Sequence, residues 1–103
     1  MATETGTFSH VEGHSSQAQG NVSHAQGWGT IASGPCAHSE GRSTRAEGEF
    51  SHAGGLGTKA TAQAQTAIGK YNAEEATALF IVGNGTGDAN GSRSNCFSAG
   101  TDT

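Results

Sequence analysis

Four histidines, His10, His24, His38 and His52, stand fourteen residues apart. Imidazole is the side chain best suited to metal ligation and to proton exchange near neutral pH. Glu12 and Glu40 follow His10 and His38 by two residues, which on a strand places each carboxylate on the face of its histidine. Two chemistries are open to such a set. Three copies of each histidine around a three-fold axis could coordinate a metal or hold an anion. Alternatively, each ring packs at a subunit interface and hydrogen-bonds a neighbouring Ser, Glu or backbone group. Interface packing is the expectation, and an axial ion at His10, His24, His38 and His52 is the minor alternative. No cofactor, resident metal or catalytic residue is expected.

The other reactive residues form no constellation. His14 falls outside the fourteen-residue set and is expected to be exposed. Serines beside histidines are products of a repeat and make no Ser–His–Asp arrangement. Residues 83 to 91, "GNGTGDANG", are glycine-rich but lack the Lys and the following helix of a phosphate loop. Cys36 and Cys96 lie sixty residues apart and fit no metal spacing; free or buried thiols are expected, with a disulfide as the other possibility. Trp28, just after a glycine, is expected to pack in a turn, with a surface contact for a ligand as the lesser reading.

The elements that must position the histidines follow from a seven-residue repeat. Written from Gly6, the units are GTFSHVE, GHSSQAQ, GNVSHAQ, GWGTIAS, GPCAHSE, GRSTRAE, GEFSHAG, GLGTKAT and AQAQTAI, and then Gly69 follows. Glycine opens eight units in succession, and Ala62 interrupts the series before Gly69. The fourth place is Ser or Thr in seven units, with Ala37 and Gln65 as exceptions, and the sixth place is small or modest throughout, from Val11 to Ala67. A coiled coil would need large apolar residues at two of the seven places. Recurrent glycines would also cost a helix roughly 1 kcal/mol each. The pattern x-Ser-x-Ala-x then Gly reads instead as a five-residue strand with alternating faces, followed by a tight turn. Such strands bury little alone. Stacked about 4.8 Å apart, they satisfy one another's backbone groups around a thin interior of Ser, Thr and Ala.

A second period counts strands per coil. Large and small residues exchange at the third place (Phe8, Ser15, Val22, Gly29, Cys36, Ser43, Phe50, Gly57, Ala64). The fifth place does likewise, with the histidines in one set and Gln17, Ile31, Arg45 and Lys59 in the other. One coil is therefore two strands and fourteen residues. The strand carrying Phe8, His10, Val22, His24, Cys36, His38, Phe50 and His52 is expected to be covered by another copy of the chain, because a two-strand roll is too thin to bury it.

Composition agrees with a solenoid. Leu, Ile, Val and Phe number only twelve in 103 residues, which would suggest disorder, but only 14% of residues are charged and seventeen are glycines in a regular pattern. The net charge of −4, with five Lys and Arg, argues against nucleic acid as a partner. No apolar run reaches the length of a membrane span, and no membrane insertion is expected.

The segments "FSHVEGHSSQAQGNVSHAQG" and "RSTRAEGEFSHAGGLGTKATA" resemble the YadA-like head repeats of bacterial trimeric autotransporter adhesins. That resemblance implies a trimeric left-handed parallel β-roll. The histidine-bearing units are more similar to the form found in phage and prophage tail fibres or appendages. "GKYN" at 69 to 72, "LFIVGNGT" at 79 to 86 and "RSNCF" at 93 to 97 resemble a segment that closes such rolls and that a self-cleaving intramolecular chaperone commonly follows. No signal peptide, stalk, anchor or chaperone is evident, so the chain reads as an excised or mature piece of a longer fibre, and no protease activity is carried over. In that setting the glycosylation triplets at Asn84 and Asn90 carry no meaning.

The expected architecture is all-β: a lead over 1–5, β-roll repeats over 6–69, and a closing segment over 70–103. In the last, "ALFIVG" is expected to pair with "RSNCFSAG" as a hairpin or exchanged strand. Asn72 and Glu75 make a capping-box pattern that would permit a short helix as the lesser alternative. The expected function is a homotrimeric structural segment of a phage or prophage tail fibre, located in the virion. It would be a rigid spacer that contributes to attachment to a host-cell receptor or glycan. The alternative is an adhesin head module at the bacterial cell surface that binds host glycan or matrix protein. An ice-binding solenoid would need an outward Thr ladder, and the only row, Thr30, Thr44 and Thr58, has inward parity. An enzyme is not expected, because the known acyltransferase and Ca²⁺-binding solenoids use repeats of other lengths.

Overall fold

The computed structural model describes residues 2–89 and 91–100. Asn90 and Thr101–Thr103, and with them one glycosylation triplet and the end of the closing segment, lie outside the described residues.

The fourteen-residue period is the coil. One parallel sheet stacks β1 (Thr3–Glu4), β3 (Gln17–Ala18), β5 (Ile31–Ala32), β7 (Arg45–Ala46) and β9 (Lys59–Ala60). The other stacks β2 (His10–His14), β4 (His24–Trp28), β6 (His38–Ser39), β8 (His52–Ala53), β10 (Thr66–Lys70), β11 (Ala78–Asn84) and β12 (Asn95–Gly100). Every pairing is parallel and offset by fourteen, such as His10 to His24 and Gln17 to Ile31, except the antiparallel pair of β11 and β12. The described residues contain no helix. An all-β solenoid of about six coils results.

The interior is as thin as the sequence requires. Ala18, Ala25, Ala32, Ala46, Ala53, Ala60 and Ala67 are fully buried, and so are Ser16, Thr30, Thr44 and Thr58. The buried hydroxyls are used at one corner of each coil. Thr30, Thr44 and Thr58 each donate to the carbonyl four residues earlier, at 3.1, 2.9 and 2.8 Å. Their burial removes them from any outward ladder.

The third place of each unit departs from the strand expected there. Phe8, Val22, Cys36, Phe50 and Ala64 on one corner, and Ser15 and Ser43 on the other, have φ between +57° and +63°. They are left-handed turn residues, and regular strand begins only at the fifth place. The stacking imposes this conformation. The N–H of Val22, Cys36, Phe50 and Ala64 donates to the carbonyl of the residue one coil back at the second place, at 2.8 to 3.0 Å. The corner thus continues the hydrogen-bond column of the sheet. The glycines that open each unit are needed mainly for close approach: a Cβ on Gly20 would lie 2.2 Å from the carbonyl oxygen of Gly34.

The fourteen-residue register runs on past Gly69, with Thr66 opposite Phe80 and Gly69 opposite Gly83. Ile81 occupies the inward place held by alanine in earlier coils and is fully buried. The hairpin expected between "ALFIVG" and "RSNCFSAG" is present. The short helix is not. Asn72 is buried and its amide is engaged elsewhere: Oδ1 accepts from the Lys59 N–H at 2.7 Å, and Nδ2 donates to the Lys59 carbonyl at 3.1 Å. One side-chain amide thus stands in for the next strand of the five-stranded sheet. Gln65, an exception to the Ser/Thr rule, does similar work. Its Oε1 accepts from the N–H groups of Thr61 and Ala62, in the place where a coil-related carbonyl serves Glu47 and Gly48. Its Nε2 donates to the carbonyls of Glu75 and Ala78. Asn72 and Gln65 both lie at the inward fourth place, at the ends of the two Ser/Thr rows.

Candidate functional site

The parallel register converts a sequence period into a column of rings. His24 stacks on His38 with centroids 4.7 Å apart and planes 13° apart, and His38 stacks on His52 at 5.0 Å and 17°. His10 meets His24 edge-on at 5.0 Å. The strand alternation that turns Ser23 and Ser51 into the core turns the adjacent His24 and His52 outward, so these neighbours in sequence face opposite sides.

Two carboxylates punctuate the column. Glu12 Oε1 lies 3.2 Å from His10 Nε2 and 3.7 Å from His24 Nε2. Glu40 Oε2 lies 3.0 Å from His52 Nε2, and its Oε1 lies 3.9 Å from His38 Nε2. Glu12 hydrogen-bonds the histidine on its own strand, as its spacing suggests. Glu40 bonds the histidine of the next coil instead. The Nε2 atoms of His24 and His38 are buried and have no hydrogen-bond partner. Burial holds the pKa of His38 below the ordinary imidazole value; Glu40 pulls it upward, and His52 and His24 add to the depression.

Two residues before the rings on each coil runs the apolar corner. Phe8 is 88% exposed, Val22 56% and Phe50 53%, and Cys36 is exposed with a free thiol. All eight residues expected at a subunit contact therefore lie on one side of the solenoid, in two adjacent rows. Within the single chain they are left open or half-open to solvent. Cys96 is also free and exposed, so the two thiols are not joined.

The opposite side carries Gln17, Ile31, Arg45 and Lys59. Here the closing segment builds a recess of about 410 Å³ that the linear pattern did not reveal. Arg45, Glu47 and Lys59 from the coils meet Tyr71, Asp88 and Arg93 from the cap around it. Arg93 donates to the carbonyls of Gly57 and Asn72 and pairs with Asp88, holding that carboxyl below its usual range. Only the outward parity of Arg45 and Lys59 was visible in sequence; Arg93 and Asp88 arrive from a non-repeating loop. Trp28, expected to pack in a turn, instead stands half-exposed at the end of β4. Arg42 covers its ring at 4.5 Å and His14, exposed as expected, meets it edge-on at 5.6 Å.

Neither a protein-family model nor a curated protein matches this chain.

Proposed function

We propose that the chain is a structural, non-enzymatic segment of a homotrimeric fibre, of the phage or prophage tail-fibre or appendage type. It would be a left-handed β-roll spacer in the virion that lends its surface to host attachment. The observation that carries the oligomeric part is the apolar corner; the number three rests on the repeat resemblance. Phe8, Val22 and Phe50 hold left-handed backbone, which costs an L-residue roughly 1–2 kcal/mol, while leaving large apolar surface in water. Glycine would fit this backbone without strain. Retaining Phe and Val there makes sense when a second surface covers them. The fibre setting rests on the repeat and closing-segment resemblance.

The test is thiol accessibility. In the assembled trimer Cys36 is covered, so an aromatic disulfide reagent is expected to modify one thiol per chain, Cys96, and to reach Cys36 only after dissociation. Immediate reaction of both thiols in the native protein would contradict the reading.

A second reading, an adhesin head at the bacterial cell surface, is favoured by the charged recess at Arg45, Lys59, Tyr71, Asp88 and Arg93. Lys59 pairs with Glu74 and Arg93 with Asp88 there, so Arg45, on the rim with Glu47 and Tyr71, is the cation the recess offers an acidic glycan. Binding of the native protein to acidic glycans or host matrix protein, lost on Arg45→Ala, would favour the adhesin. Absence of such binding would leave the spacer.

A further inference from the structure

The histidine column is divided into two chemically complete units. His10, Glu12 and His24 bring three ligand atoms within 4.8 Å of one another, and His38, Glu40 and His52 do the same. The second set is the first displaced by two coils, or twenty-eight residues. Between them, at the place equivalent to Glu12 and Glu40, stands Gln26, and beyond the second stands Gly54. The column is therefore not a uniform ladder of imidazole–carboxylate pairs. It is a pair of His–Glu–His groups separated by an uncharged step.

Hydrogen bonding alone leaves each group half-satisfied. In each, the carboxylate bonds one histidine: Glu12 to His10, and Glu40 to His52. The other histidine, His24 or His38, keeps a buried Nε2 without a partner. A buried imidazole nitrogen without a hydrogen bond is costly, and the same defect occurs once in each group. The unpartnered nitrogens lie 3.7 and 3.9 Å from the carboxylate oxygens. With metal–ligand bonds near 2.0–2.1 Å, tetrahedral ligands stand roughly 3.4 Å apart. The nitrogen–oxygen separations of 3.0 to 3.9 Å bracket that value, the two Glu40 oxygens each facing one histidine, and all the ligand atoms of each group lie within 4.8 Å of one another. A cation held between the three atoms would give every Nε2 in the column a partner.

We propose that each His–Glu–His group binds a divalent transition-metal cation of the zinc class, two per chain. The ligands are Nε2 of His10 and His24 with a carboxylate oxygen of Glu12, and Nε2 of His38 and His52 with a carboxylate oxygen of Glu40. Two imidazoles and one carboxylate suit Zn²⁺ and neighbouring borderline cations and do not suit Ca²⁺ or Mg²⁺, which take oxygen ligands. All six ligands come from one chain, so this assignment is independent of the trimeric reading. In a fibre the bound ions would lock successive coils together along the face beside the apolar corner.

Isothermal titration of the native, metal-stripped chain with Zn²⁺ tests the proposal. The expected stoichiometry is two ions per chain, falling to one in Glu12→Gln, to one in Glu40→Gln, and to none in the double variant. Both glutamates lie outside the core, and a retained β-sheet circular dichroism spectrum will separate lost ligation from lost fold. Co²⁺ provides a second readout: its visible ligand-field absorption is expected to halve in each single variant. Fewer than two ions bound by the native chain, or uptake unchanged in the double variant, would overturn the assignment. Light scattering of the same samples reports oligomeric state separately.

Discussion

At the third place of each unit the two corners of the coil share one left-handed conformation and carry opposite side chains. On one, the left-handed places are Ser15, Gly29, Ser43 and Gly57, residues that tolerate the conformation or contribute little surface. On the other they are Phe8, Val22, Cys36 and Phe50, with φ near +60° and wide exposure. The sheets behind them differ in the same sense. Gln17, Ile31, Arg45 and Lys59 line one, and stacked imidazoles line the other. Backbone energetics at the third place do not account for the contrast, because on both corners that residue's N–H donates to the second-place carbonyl one coil back. The difference points to what each side meets. On the proposed reading, the Ser/Gly side faces water and the recess, and the Phe/His side faces a neighbouring copy.

The largest expected effect concerns what the two sides share. A Cβ at Gly41 would lie 2.1 Å from the Gly55 carbonyl oxygen with φ at +102°; one at Gly34, on the other edge, would lie 2.2 Å from the Gly48 oxygen without that φ. Gly41→Ala is expected to destabilise the fold by about 3 kcal/mol or more, by steric overlap and backbone strain together. Gly34→Ala should cost less. Urea midpoints of the two variants check the order; equal losses would mean that close approach alone sets the cost.

Next is the way the two sheets end. The seven-stranded sheet ends in a real strand, β12. The five-stranded sheet ends in the Asn72 amide, with Arg93 and Asn95 bracing the chain around it. Asn72→Ala is expected to cost about 2 kcal/mol by leaving the Lys59 N–H and carbonyl unpaired. Amide exchange at Lys59 should accelerate while that at Thr66 and Ala67 changes little. Equal acceleration in both sheets would show that the two ends do not differ in this way.

A smaller and more pointed effect comes from the corners themselves. Ser43→Gly is expected to stabilise the chain by about 1 kcal/mol by relieving left-handed strain. Phe50→Gly relieves the same strain but is expected to weaken assembly, so light scattering should show it dissociated at concentrations where the native protein stays assembled. If Phe50→Gly simply stabilises, as Ser43→Gly does, the two corners are equivalent and the apolar one has no partner.

The smallest effect is on pH. Burial depresses the folded pKa of His38, so the folded chain takes up its proton less readily than the unfolded chain. Stability from this group is present above the unfolded value of about 6.5. It declines as pH falls below that value and levels off beneath the folded pKa. His38→Gln should flatten the urea midpoint between pH 8 and pH 5; an unchanged slope would remove His38 as the cause.

Much of this was legible in sequence, for a definite reason. The inward places, Ser or Thr at the fourth and Ala at the sixth, recur because the interior between stacked coils is thin, larger buried residues (Gln65, Asn72, Ile81) entering only where the repeats end, and the fourteen-residue exchange at the fifth place counts strands per coil. The left-handed corner was hidden because propensity argues against Phe or Val at positive φ, and only the stacked hydrogen bonds impose it. The capping amides were visible only as irregularities, Gln65 in place of Ser and Asn72 next to an apparent capping box. Their targets, Lys59, Thr61 and Ala62, become available where the coils stop. The recess escaped notice because Asp88 and Arg93 belong to no repeat. The two metal-ligand groups were half-visible: Glu12 and Glu40 had the right parity, but the pairing of Glu40 with His52 in the next coil requires the stacked register.

On the proposed reading, further copies of this chain cover the Phe8–His52 side. Light scattering coupled to size exclusion tests it most directly. Three times the chain mass is expected for the native protein, and the monomer mass for the Phe8→Asp, Phe50→Asp double variant, with β-sheet circular dichroism retained. A native protein that elutes as a folded monomer at every concentration would contradict it.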